Sequence, residues 1–105
     1  MSELIEVGSI EEIPVLGSRI VVTTQGNIAV FKTSEGEVFA LRDECPHKKG
    51  PLSQGIVHGK SVTCPLHNWV IALDTGMAAA PDEGCAARFP IELRDGTVFL
   101  GLKPE

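Results

Sequence analysis

The sequence predicts an all-β fold: a small antiparallel framework into which a loop-rich lobe is inserted. Three observations carry this reading. Val, Ile, Thr and Phe gather into short runs, and glycine-bearing turn signals separate those runs. The stretch from 43 to 84 breaks the pattern, because it holds all the histidines and most of the prolines. A chain of 105 residues suits one compact domain with a modest core, here 1–105 with the lobe at about 43–84.

The elements follow in chain order. In "SIEEI", Ser9 stands three residues before Glu12, a capping-box spacing that predicts one short helical turn ending before Pro14. Strands are expected in "RIVVTT" (Arg19 to Thr24), "NIAVFKT" (Asn27 to Thr33) and "EVFALR" (Glu37 to Arg42). Gln25-Gly26 and Ser34-Glu35-Gly36 lie between them and read as hairpin turns, since glycine reaches the positive φ that tight turns need. Inside the lobe, Pro51-Leu52-Ser53 suggests another brief turn. Very short strands are expected at Gly55 to Val57, Ser61 to Thr63 and Val70 to Leu73. Two more runs close the chain, "RFPIEL" (Arg88 to Leu93) and "TVFLGL" (Thr97 to Leu102), joined by Arg94-Asp95-Gly96. Phe89, Ile91 and Leu93 fall on one face of a two-residue period. Pro90 cannot donate to a ladder, which puts this strand at a sheet edge.

Composition narrows the functional classes. The formal net charge is −5, and Lys48-Lys49 is too short a basic run to attract a polyanion, so neither nucleic acid nor an anionic membrane is an expected partner. No apolar stretch reaches bilayer length. The first residues, "MSELIEVGSIEEI", are acidic where a signal peptide would be basic, and the expected location is the cytoplasm. Three cysteines in that compartment point to metal binding or to unpaired thiols rather than to disulfides.

Two stretches of the lobe carry the chemistry. "DECPHKKGPLSQG" contains Cys45 and His47, and "VTCPLHNWV" contains Cys64 and His67. Each half holds one thiol and one imidazole. A zinc site of the Cys2His2 kind usually pairs its cysteines together and its histidines together, so the mixed halves suit two metals better than one. A [2Fe–2S] cluster with two thiolates on one iron and two imidazoles on the other makes that demand. A single zinc in a β interaction module remains the alternative.

The pattern "CPH…CPLH" resembles the two ligand boxes of the Rieske iron–sulfur family. The resemblance implies that Cys45 and Cys64 hold one iron and that His47 and His67 hold the other. It also implies the family's antiparallel β framework and a Rieske-type [2Fe–2S] cluster, one per chain. Pro46 and Pro65, each following a ligand cysteine, would stiffen the ligand loops. Pro81, after Ala78-Ala79-Ala80, resembles part of a third loop that covers the cluster in the family. The boxes depart from Rieske proteins of respiratory complexes, which carry an extra cysteine in each; the positions here are Gly50 and Leu66. Hydroxyl-bearing residues after the second box are also missing, with Trp69 and Ile71 in their places. Fewer hydrogen bonds to the cluster imply a low potential for a Rieske centre. Cys85 is read as a small buried or free cysteine rather than a ligand, Asp82 and Glu83 as part of a solvated loop, and His58 as an exposed turn residue. Asn68 stands where glycine is frequent in the family.

Within that family, "CPHKKGPLSQGIVHGKSVTCPLHNWVIALDTG" and "PDEGC" are similar to the small subunits of assimilatory NAD(P)H nitrite reductases. That resemblance implies a large partner subunit bearing FAD, a [4Fe–4S] cluster and sirohaem, with nitrite reduced to ammonium. A nucleotide-binding G-x-G-x-x-G pattern is missing, so this chain is expected to pass electrons with a partner and to have no catalytic residues of its own. The other assignment is a Rieske ferredoxin serving an aromatic-ring dioxygenase, for which glycine would be expected after His67.

Overall fold

The computed structural model describes residues 4–24, 26–44, 51–64, 69–78, 84 and 86–102. The fold is all-β and antiparallel, with ten strands among these residues in three sheets. Strand β1 is Leu4–Ser9, β2 Ser18–Thr23, β3 Gly26–Lys32 and β4 Val38–Arg42. The short strands β5 (Ile56–His58), β6 (Ser61–Thr63) and β7 (Val70–Ala72) follow, then β8 (Arg88–Phe89), β9 (Ile91–Arg94) and β10 (Thr97–Gly101). One sheet has the order β1-β10-β9, the second β2-β3-β4-β8, and the third β5-β6-β7.

Strand β3 explains how the layers are arranged. Ile28, Ala29, Val30 and Phe31 are all fully buried, in an apolar run that does not alternate with polar residues. A strand reads this way when both its faces are covered. Ile28 and Val30 pack with Val7, Ile13, Phe89, Val98 and Leu100 of one core. Ala29 and Phe31 pack with Leu52, Val57, Val62, Cys64 and Ile71 of another. Strand β4 divides in the same way, Ala40 to the first core and Leu41 to the second. The β2-β3-β4-β8 sheet is therefore the middle layer, between the β1-β10-β9 sheet and the β5-β6-β7 sheet.

Most expected elements are present with ends shifted by a residue. The turn after Ser9 is a 3-10 turn over Ile10–Glu12, and the Ser9 hydroxyl accepts from the Glu11 N–H at 3.2 Å. Glu12 does not complete a capping box; its carboxylate meets Arg19 at 2.8 Å instead. A second 3-10 turn spans Leu52–Gln54, at the place expected from Pro51-Leu52-Ser53. At the β9–β10 turn, Asp95 and Gly96 both have positive φ, 51° and 80°, the conformation that suits the twist of a tight hairpin.

Two features differ from expectation. Strand β1 pairs with β10 through a register shift between Glu6 and Gly8, although Gly8 makes "LIEVGS" a weak strand signal. The run from Arg88 to Leu93 is not one strand. It changes sheets at Pro90: Phe89 pairs with Ala40 in the middle layer, and Ile91 pairs with Leu100 in the outer one. The missing N–H of Pro90 is tolerated because β8 and β9 both end their sheets, while the Pro90 carbonyl accepts from Gly101 at 2.9 Å. After the switch Leu93 is 49% exposed, so the face predicted from Phe89, Ile91 and Leu93 is buried only at its start.

Between Arg42 and Arg88 the chain leaves the middle sheet, builds β5-β6-β7 against its Ala29/Phe31/Leu41 face, and returns as β8. No helix among the described residues is long and apolar enough to cross a membrane.

Candidate metal centre

Of the four expected ligands, Cys64 is described; Cys45, His47 and His67 lie outside the described residues, as do Pro46, Pro65, Asn68, Pro81 and Cys85. The described residues show how the fold holds the roots of the segments in which the expected ligands lie.

Cys64 follows β6 directly and is fully buried. Its N–H donates to the Trp69 carbonyl at 2.6 Å, one step beyond the Thr63–Val70 pair of the β6–β7 ladder. The hairpin ladder thus continues up to the two residues that bracket 65–68. Trp69 is half-buried and packs on the same core as Cys64. Its carbonyl, which side-chain chemistry could not predict, closes the segment at this end.

The segment that contains Cys45 and His47 is bracketed by Asp43 and Ser53. Asp43 stands just past β4 and is only 8% exposed. One carboxylate oxygen accepts from the Ser53 N–H at 2.7 Å, the other from the Ser53 hydroxyl at 2.9 Å. Ser53 belongs to the 3-10 turn that starts after Pro51, whose side chain supplies no cap. A turn's first N–H groups need an outside acceptor, and Asp43 provides one. The Ser53 carbonyl in turn accepts from the Ser18 hydroxyl of β2 at 2.9 Å.

A third segment, from 79 to 83, is bracketed by the Ala78 N–H donating to the Gly84 carbonyl at 2.9 Å. Beneath it, the Ala86 N–H donates to the Gly76 carbonyl at 2.7 Å, and the Arg88 guanidinium donates to the Asp74 carbonyl.

The roots of the three segments converge. Leu52, Cys64 and Ala86 belong to one buried cluster, with Trp69 and Ala78 packed against it. The first and second roots also touch directly. A Cβ on Gly55, the residue after the 3-10 turn, would fall against the Thr63 carbonyl and lie 2.9 Å from Val62 Cγ2. Only glycine permits that approach, so Gly55, expected to open a short strand that in fact begins at Ile56, serves contact between segments.

Among the described residues no three His, Cys, Asp or Glu side chains gather into a metal site, since three of the expected donors lie elsewhere in the chain. The donor that is described fits an iron–sulfur centre. An apolar shell controls solvent access to a metal centre, and Cys64, a thiol of the kind that ligates iron–sulfur clusters, is fully buried at the meeting point of the three roots. His58, expected as an exposed turn residue, is exposed but ends strand β5, one residue before the turn; its Nε2 lies 2.7 Å from the Thr63 hydroxyl.

Comparison with known proteins agrees with this geometry. The Rieske [2Fe-2S] domain family matches residues 3–90. The 3-phenylpropionate/cinnamic acid dioxygenase ferredoxin subunit of Photorhabdus laumondii subsp. laumondii is 35% identical over 107 residues, covering 100% of this chain and 99% of that protein. Among solved structures, a chain of the complex of reduced oxygenase and oxidised ferredoxin in carbazole 1,9a-dioxygenase has a TM-score of 0.88 at 24% identity, over 97% of this chain and 95% of that one. A protein from Mycobacterium tuberculosis, assigned as an NADH-dependent nitrite reductase small subunit, also has a TM-score of 0.88, at 19% identity over 98% of this chain and 97% of that one. At those identities the structural likeness shows the fold. A Rieske-type cluster supplies one-electron chemistry, taking up and giving back a single electron. The match over residues 3–90 and the full-length relative place the chain in the Rieske [2Fe-2S] domain family, as an electron-transfer protein with a Rieske-type [2Fe–2S] cluster.

Proposed function

We propose that Cys45 and Cys64 hold one iron of the cluster, that His47 and His67 hold the other, and that residues 43–84 form the lobe that carries it. In this reading the chain is the Rieske-type small subunit of an NAD(P)H-dependent nitrite reductase, working in the cytoplasm in nitrate assimilation. It passes electrons with a large subunit bearing FAD, a [4Fe–4S] cluster and sirohaem. The observation that carries this assignment is the run "CPHKKGPLSQGIVHGKSVTCPLHNWVIALDTG" with "PDEGC". In particular, Asn68-Trp69 follows His67 where a glycine would be expected of the dioxygenase ferredoxins.

A second reading has its own support. The full-length relative at 35% identity is a dioxygenase ferredoxin subunit, and a Rieske ferredoxin feeding an aromatic-ring dioxygenase would share the ligand boxes.

Affinity purification from cells grown on nitrite separates the two. The nitrite reductase assignment expects a sirohaem- and FAD-containing protein in stoichiometric complex with the tagged chain. It also expects nitrite-dependent NAD(P)H oxidation in that complex to be lost when His67 is replaced by alanine. A chain that binds no sirohaem protein, but supports turnover of a ring-hydroxylating oxygenase with its reductase, belongs to the second class.

A further inference from the structure

We infer that Asp43 is a positioning residue for the cluster: through Ser53 it sets the separation between the first Cys–His segment and the second. The inference rests on the proposed ligands, Cys45 and His47 in one segment and Cys64 and His67 in the other.

The geometry is a two-point grip. Asp43 lies two residues before Cys45, at the end of β4, and its own N–H is anchored to the Asn27 carbonyl at 2.9 Å. Its carboxylate takes both donors of Ser53, at 2.7 and 2.9 Å, across ten residues of chain. Asp43 and Thr33 are the only buried polar or charged residues among those described. A buried carboxylate is costly unless its oxygens find donors, so the pairing with Ser53 is strongly preferred over alternatives that leave it bare.

Ser53 then connects to the second segment. Its neighbour Leu52 is fully buried in the cluster that contains Cys64, and the Gly55 N–H donates to the Leu52 carbonyl at 2.9 Å. Gly55 is pressed on the Thr63 backbone, and Thr63 precedes Cys64. From β2, the Ser18 hydroxyl fixes the Ser53 carbonyl. Asp43 therefore joins the root of one ligand pair to the root of the other through four short links: Asp43–Ser53, Ser53–Leu52, Leu52–Gly55 and Gly55–Thr63. Cys45 and Cys64 would hold one iron between them, which would require their thiolates at one fixed spacing. A grip on the roots supplies that spacing before the metal arrives and resists its loss afterwards.

The test uses holoprotein prepared without air, with cluster loss followed by visible absorbance after exposure to air and a chelator. Asp43→Ala should lose the cluster about tenfold faster than wild type, and Ser53→Ala, which removes one of the two bonds, about threefold faster. Asp43→Asn can still accept from the Ser53 N–H and meet its hydroxyl, so it should stay within about twofold of wild type. Val98→Ala is the control for lost stability alone, since Val98 is fully buried in the other core. It should also stay within about twofold, even when its unfolding midpoint is lowered as far as that of Asp43→Ala. The EPR line shape of the reduced cluster should change in Asp43→Ala and be restored in Asp43→Asn.

If Asp43→Ala matches wild type in rate and spectrum, if Val98→Ala loses its cluster as fast, or if Asp43→Asn fails to rescue, the inference is overturned. Should Asp43→Ala not fold, Ser53→Ala and Asp43→Asn decide it on the same criteria. Failure of the ligand assignment looks different: His67→Ala would keep an unaltered cluster, whatever Asp43→Ala does, and the inference would fall with it.

Discussion

The N–H of Cys64 donates to the carbonyl of Trp69 at 2.6 Å, closing the root of the segment that contains His67. The bond extends the β6–β7 ladder to a residue that is both buried and a proposed ligand. The Trp69 side chain packs on the core below, so backbone closure and side-chain packing act on the same residue. Trp69→Ala should keep the backbone bond but lose the packing, lowering stability by about 2–3 kcal/mol, with Trp69→Phe nearer wild type. Urea unfolding of the apoprotein measures both.

Gly76 offers a sharper contrast. It has φ of +77°, is buried, and a Cβ there would strike the Ala86 carbonyl beneath the third segment. Gly59, in the β5–β6 turn, has φ of +56° and open space around it. Both substitutions to alanine incur left-handed backbone strain, but only Gly76→Ala adds a collision with backbone that cannot yield. The expected losses are about 1 kcal/mol for Gly59→Ala and at least about 2 kcal/mol more for Gly76→Ala. Equal midpoints for the two in denaturant would contradict the packing described under the third segment.

The Arg19–Glu12 pair should matter little. Its side chains are 43% and 57% exposed, and solvent screens an ion pair so placed. Glu12→Gln is expected to change stability by less than about 0.5 kcal/mol, read from the thermal midpoint at low and high salt.

The residues after the second box bear on the potential expected of the proposed cluster. Trp69 and Ile71 bring no hydroxyl, and Ile71 is fully buried in the core. The family resemblance puts these two positions where hydroxyls would stabilise the reduced state, so a midpoint of about −150 to 0 mV is expected. A redox titration giving more than about +150 mV would contradict it.

What could be read from the residues divides along physical lines. Strands β2, β3, β4 and β10 were legible because their β-branched and aromatic runs are bounded by glycine turns. The same pattern placed Ser61–Thr63 correctly within the lobe. The apolar run from Ile28 to Phe31 was legible as a strand, but its burial on both faces emerged only with the layers that cover it. Pro90 signalled an edge, but a switch between two sheets depends on where Ala40 and Leu100 lie, which no local pattern encodes. Strand β1 was hidden by its bulge at Gly8. At the site, residue type and spacing made Cys64 an expected donor, and the fold buries it fully. Asp43 and Ser53 gave no such signal, because an aspartate at a strand end and a serine after Pro51-Leu52 are ordinary loop residues until the fold brings them within 2.7 Å. The Trp69 carbonyl, a backbone group, is equally silent in sequence.

The most direct measurement is metal and sulfide analysis of protein purified without air, with EPR after reduction, on wild type and on His67→Ala. The expected result is about two irons and two acid-labile sulfides per wild-type chain with a Rieske-type signal, all of it lost in the variant. One zinc ion per chain with no sulfide, or an unchanged cluster after His67 is removed, would contradict a centre held by two thiolates and two imidazoles.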